Sequence, residues 1–135
     1  MGAWGPGIFD DDTAYDFVGI LQDSEDPVQD FKTFFETAVE TDYLEYDDAH
    51  AVTVSAAYMD MILNNTVYQS EDEESLQAFR DTHKNLAVAS LKPLAVKALQ
   101  KVVSERSELN ELWSENEELY PDWKKNIKDL AARLS

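Results

Sequence analysis

Asp47-Asp48-Ala49-His50-Ala51-Val52-Thr53-Val54-Ser55-Ala56-Ala57-Tyr58-Met59-Asp60-Met61-Ile62-Leu63 is the stretch that decides the fold. Val52, Ala56, Met59 and Leu63 recur at helical spacing on one face, and Ala49, Ala51, Ala57 and Ile62 widen it. A helix this apolar on several sides belongs at the centre of a core. Asp47 or Asp48 starts it, and Asn64-Asn65 ends it, because Asn tolerates the left-handed backbone that closes helices. Ala51-Val-Thr-Val54 is the nearest approach to a strand, but the surrounding alanines pull it towards helix.

Helical patterns flank this segment on both sides. Upstream, Asp10 or Asp11 caps a helix carrying Ala14, Phe17, Val18 and Leu21 on one face. Asp26 precedes Pro27 as cap and first residue of the next, with Val28, Phe31, Phe35, Ala38 and Val39 at helical spacing. Residues 41–46 are a short irregular link. Downstream, Ser70 with Glu73 resembles a capping box opening a helix with Leu76 and Phe79. Ser90 caps a helix with Pro93 in its first turn. Leu109, Leu112 and Trp113 mark a short helix after Ser107, and Pro121 starts a last one lined by Trp123, Ile127, Leu130 and Leu134. The expectation is an all-α single compact domain over residues 1–135, of six or seven helices in orthogonal or bundle-like packing.

The chain has 135 residues, 44% hydrophobic, enough for one domain with a real core. Without cysteine there is no disulfide, thiolate metal site or cysteine nucleophile. No run reaches the eighteen or so apolar residues of a membrane span. The start lacks a signal-peptide pattern, and Pro6 spoils a myristoylation match. A cytoplasmic location is expected.

Charge is the strongest compositional signal. The net value of −17 is carried entirely by the first half, where residues 1–75 hold nineteen acidic side chains against Lys32 alone. The other sixty residues hold nine acidic and ten basic side chains. Such a field repels nucleic acid and anionic lipid and draws in a basic protein. No nucleic-acid or membrane partner is expected.

The opening, Gly2-Ala-Trp-Gly-Pro-Gly-Ile-Phe-Asp10, places three glycines before a helix start. Its spacing fits neither the phosphate loop nor the dinucleotide fingerprint, and Asp10-Asp11-Asp12 stand where a phosphate would lie. Residues 1–9 therefore read as a glycine-rich anchor, with Trp4 and Phe9 turned inward and Phe17, Trp113 and Trp123 as further core anchors. The glycines allow a tight turn.

Several acidic groups are candidate binding residues. Asp10, Asp11, Asp12 and Asp16 gather at the first helix, without the alternation of a calcium loop. Asp42, Glu45, Asp47, Asp48 and His50 form the densest mix of possible metal ligands or general bases, though no second histidine sits at helical spacing. Tyr43 and Tyr46, between acidic residues in a link, suit recognition of a basic protein. No residue is nominated as catalytic, and no cofactor or metal is implied.

Gly2-Ala-Trp-Gly-Pro-Gly-Ile-Phe-Asp10, with Asp12 and Ala14-Tyr-Asp-Phe17, resembles the start of a bacterial domain-of-unknown-function family, number 4259. Asp42-Tyr43-Leu44-Glu45, Leu91-Lys-Pro-Leu94 and Ser107-Glu-Leu-Asn-Glu-Leu-Trp113 with Trp123 extend the likeness along the chain. The resemblance implies no established activity, only an association of such bacterial proteins with toxin systems.

Three functions are open at this level. The first is a non-enzymatic protein-binding module, an inhibitor or immunity protein, engaging a basic partner through Asp10, Asp11, Asp12, Asp16, Asp42, Tyr43, Glu45, Tyr46, Asp47 and Asp48. The second is a metal-dependent enzyme using an Asp/Glu/His cluster. The third is a housekeeping structural protein whose acidity serves solubility. A monomer or weak oligomer is expected.

Overall fold

The computed structural model describes residues 5–69 and 73–135. Among these, seven α-helices run in the order α1 (Asp12–Gln22), α2 (Pro27–Glu40), α3 (Tyr46–Asn64), α4 (Glu73–His83), α5 (Lys92–Val102), α6 (Glu108–Ser114) and α7 (Tyr120–Arg133), with one 3₁₀ turn at Ala89–Leu91. No strand occurs among the described residues. An isolated parallel bridge joins Leu44 and Ser107.

The central helix is α3. Every residue from Ala49 to Met61 is buried, and each of the other six α-helices packs against it. Its low amphipathicity is the cause: with apolar or small residues all round, it is stable only when enclosed on every side. The outer helices are two-faced. Thus α2 buries Phe31, Phe35 and Ala38, α5 buries Ala95, Ala98, Leu99 and Val102, and α7 buries Trp123, Ile127 and Leu130. Rings tie the layers together: Tyr58 of α3 stacks on Phe79 of α4 with centroids 3.9 Å apart, and Trp113 of α6 stacks on Trp123 of α7 at 6.0 Å. Each such aromatic pair adds roughly 0.5–1.5 kcal/mol beyond its burial.

Helix ends follow local chemistry. Asp11 caps α1, accepting from Thr13 N at 2.8 Å, Asp26 caps α2 ahead of Pro27, and Ser107 caps α6. Asn65 closes α3 with φ at 55°, the left-handed position anticipated for it. Two starts differ from expectation. Ser90 does not cap α5, because a 3₁₀ turn leads straight into Lys92 and makes no side-chain cap. Helix α3 begins at Tyr46 rather than after Asp47 or Asp48, and its local cap residue, Glu45, makes no capping bond. Trp4 and Ser70 lie outside the described residues.

The glycine-rich start does turn tightly, with Asp10 N–H donating to Gly7 O at 3.1 Å, but without left-handed backbone. Neither Gly5 nor Gly7 has positive φ. Both are small because the Asp10 carboxylate folds back over them: Gly7 N–H donates to Asp10 Oδ2 at 3.0 Å. A Cβ on Gly5 or Gly7 would meet that oxygen at 2.7 or 2.6 Å. The chain's own carboxylate fills the amide cradle that suggested an anion site. Asn126 of α7 donates to Pro6 O at 3.0 Å and ties the loop to the end of the chain.

Candidate functional site: an acidic face where three helix starts converge

The starts of α1, α3 and α6 meet at one end of the molecule. Leu44 N–H donates to Arg106 O, and Glu108 N–H to Leu44 O, both at 2.8 Å, which fixes the 41–45 link beside α6. The Glu108 carboxylate then accepts from Tyr46 N at 2.8 Å, supplying from 62 residues away the cap that α3 lacks locally. The Tyr46 hydroxyl donates to Asp11 Oδ2, bringing in the start of α1. Carboxylates gather here because helix N-termini present unpaired N–H groups and positive dipole ends.

Beneath this end lies a buried cluster. Asp11 and His50 are 2% and 5% exposed, and His50 Nε2 lies 3.3 Å from Asp11 Oδ2. The His50 ring also meets Tyr46 edge-on at 4.8 Å. Burial alone would raise the Asp11 carboxyl, but the contacts from His50, Tyr46 and Thr13 N–H outweigh it and hold the group at about 2. An acid held so low is a weak proton acceptor near neutral pH. Its observable work is to lock α1 to α3.

The surface above is acidic and aromatic. Asp12, Asp42, Glu45, Asp47 and Asp48 are exposed, and Tyr43 is 38% exposed with its hydroxyl donating to Glu111 Oε2 at 3.0 Å. Lost hydration, Glu111, Glu108 and Glu45 all push the Tyr43 phenol above its usual range, which registers the negative field around the ring. Glu108 and Glu111 were not among the candidates in the sequence. They come from the nearly neutral half of the chain, and the Leu44–Ser107 bridge brings them here.

The candidates do not all share this face. Asp11 is inside rather than on the surface, and Tyr46 is half-buried with its hydroxyl turned to Asp11. Asp10 is half-buried against Gly7, and Asp16 is exposed farther along α1. His50 lies against Asp11, and the Asp/Glu/His set read as a metal or base cluster is not assembled among the described residues. No group of three or more potential ligands occurs among the described residues in an arrangement suited to a metal ion. Of the anchors, Phe9, Trp113 and Trp123 are buried and Phe17 is half-buried.

A second buried carboxylate sits near the other end of α3. Asp60 is fully buried. It accepts from Asn64 Nδ2 at 2.7 Å, Tyr68 Oη at 2.6 Å and Arg133 Nε at 2.9 Å. Burial disfavours its charge, yet these donors together hold it below the usual carboxylate range, while burial and Asp60 push Tyr68 upward. The network floors a cleft of about 450 Å³ between the glycine loop, residues 67–69 and α7, lined by Gly7, Asp10, Tyr68, Asn126 and Arg133. A carboxylate so fully engaged is a structural tie. One signal for it was available in the sequence, a lone acid amid an apolar helix.

Fold and site together define an all-helical protein built round one enclosed helix, with an acidic face where three helix starts converge. The chain belongs to the family described as Domain of unknown function (DUF4259), whose sequence model matches residues 2–126. No curated protein and no solved structure gives a significant match. Among the described residues, no helix is long and apolar enough to cross a membrane.

Proposed function

We propose that the chain is a bacterial cytoplasmic, non-enzymatic protein-binding module that engages a basic protein through the acidic face, in the manner of an inhibitor or immunity protein. The observation that supports this is Tyr43. An exposed ring fixed by Glu111 stands among carboxylates from both halves of the chain. An aromatic with little conformational freedom left to lose, ringed by one sign of charge, suits recognition of a cationic surface.

The long-range field would speed encounter, and the rim carboxylates would choose the sign of the partner. The test is a nuclear magnetic resonance titration with a twelve-residue Lys/Arg-rich peptide. Amide shifts are expected at residues 42–48 and 107–111, fading as salt rises from about 0.1 to 1 M, where screening shortens from about 10 to about 3 Å. Shifts scattered evenly over all acidic helices, or unaltered by Tyr43→Ala, would reject the face as the binding site.

A further inference from the structure

The side formed by α5 and α7 has the opposite character. Two hollows of about 530 and 630 Å³ share Val96, Gln100 and Ser135 and so form one trough along both helices. Pro93, Val96, Val103, Ala131 and Ala132 give it an accessible apolar lining over the buried Leu99, Ile127 and Leu134. Lys92, Lys97, Lys124 and Lys128 stand around it, and no Asp or Glu lines either hollow. In a chain with 28 acidic and 11 basic side chains, that is a pronounced local reversal.

The four lysines also form no ion pair among the described residues, where the pairs use His50, Arg80, Lys125 and Arg133. Solubility does not require them, since the molecule already carries −17. Lys124 Nζ lies over the Tyr120 ring at 5.6 Å, but no carboxylate among the described residues pairs with it or with the other three lysines. Apolar surface flanked by such ammonium groups selects something apolar along its middle and anionic along its edges.

Shape narrows the class. Helices α5 and α7 have eleven and fourteen residues, so the walls run about 16–21 Å at 1.5 Å per residue. A trough of that length takes a rod of three or four helical turns. We propose that it docks an amphipathic helix of a protein partner, with an apolar stripe at i, i+3, i+4 and i+7 flanked by Asp and Glu. A second copy of the chain is a poorer occupant because two bodies of −17 repel.

The probe is a fluorescein-labelled, acetylated sixteen-residue peptide with Leu on one helical face and Glu beside it, titrated into the full chain and read by anisotropy. Saturable binding is expected, with amide shifts confined to residues 89–103 and 124–135. Ala132 is exposed and lines the trough, so Ala132→Trp should fill it and weaken binding at least tenfold. The double charge reversal Lys97→Glu and Lys128→Glu should weaken it at least fivefold with an unchanged melting curve, since both side chains are exposed. Tyr43→Ala, on the acidic face, should leave this binding intact. Equal binding of a scrambled peptide of the same composition would overturn the proposal. So would unchanged binding by the charge-reversed variant, or retention on phosphatidylglycerol vesicles without peptide binding.

Discussion

Arg133 and Asp60 are 73 residues apart in the chain, and Arg133 Nε lies 2.9 Å from Asp60 Oδ2. The pair closes the last helix onto the central one. Removing one partner of a buried pair costs more than forming the pair gains, because the remaining charge is left in a poorly solvating interior. Here Tyr68 and Asn64 still donate to Asp60, and the Arg133 side chain is 38% exposed. Arg133→Met should therefore cost about 2 kcal/mol, below the roughly 3–5 kcal/mol of a fully buried pair. Denaturant unfolding measures it, and a loss under about 0.5 kcal/mol would mean that the tie is idle.

Asp11 gives a pH signature. Its folded value of about 2 lies below the reference of 3.8, so its contribution is complete above about pH 4 and is lost as pH falls through 2. A difference of this size corresponds to about 2 kcal/mol at neutral pH. Stability curves of the native chain and Asp11→Asn between pH 2 and 6 should converge at the acid end and separate above pH 4. Comparing the two cancels the general relief of acidic repulsion, which both share. Parallel curves across the range would remove Asp11 from the account.

Glu108 and Glu111 lie one turn apart on α6 and should behave differently. Glu108 caps α3 at Tyr46 N, whereas Glu111 holds only the exposed Tyr43 hydroxyl. Glu108→Ala is expected to cost about 1 kcal/mol, as for other lost caps. Glu111→Ala should change stability by less than about 0.5 kcal/mol while weakening the binding of the basic peptide. Melting curves set beside the peptide titration separate the two roles. Equal destabilisation by both variants would contradict this division.

Gly7→Ala probes the glycine loop. Its Cβ would stand 2.6 Å from Asp10 Oδ2, so the carboxylate must swing away and the bond from Gly7 N–H is lost. A cost of about 1 kcal/mol is expected, or roughly 3–5 °C in melting temperature for a chain of this size. In an Asp10→Ala background the same substitution should be nearly neutral, since the group it displaces is gone. An equal cost in both backgrounds would show that the loop needs glycine for another reason.

What could be read in the sequence was what neighbouring residues decide. Asp26 before Pro27, Ser107 before α6 and Asn65 after α3 are local signals, and the enclosed helix announced itself by apolar residues on every side. The site was hidden by distance along the chain. Nothing in Glu108 reveals that it caps a helix 62 residues earlier, and nothing in His50 reveals that its carboxylate is Asp11 and not the adjacent Asp47 or Asp48. Likewise, four lysines come to stand around one trough only because α5 and α7, distant in the chain, lie side by side.

The thirteen consecutive buried residues of α3 also bear on how such a chain can diverge. Its interior is concentrated in one short segment that tolerates few replacements, while the outer helices each need only an apolar stripe facing it. Mutational drift can therefore rewrite charge and contour on either flank, acid at one end and lysine along another side, without disturbing the frame. Related chains keeping the pattern of residues 49–61 could exchange one binding specificity for another by surface substitution alone.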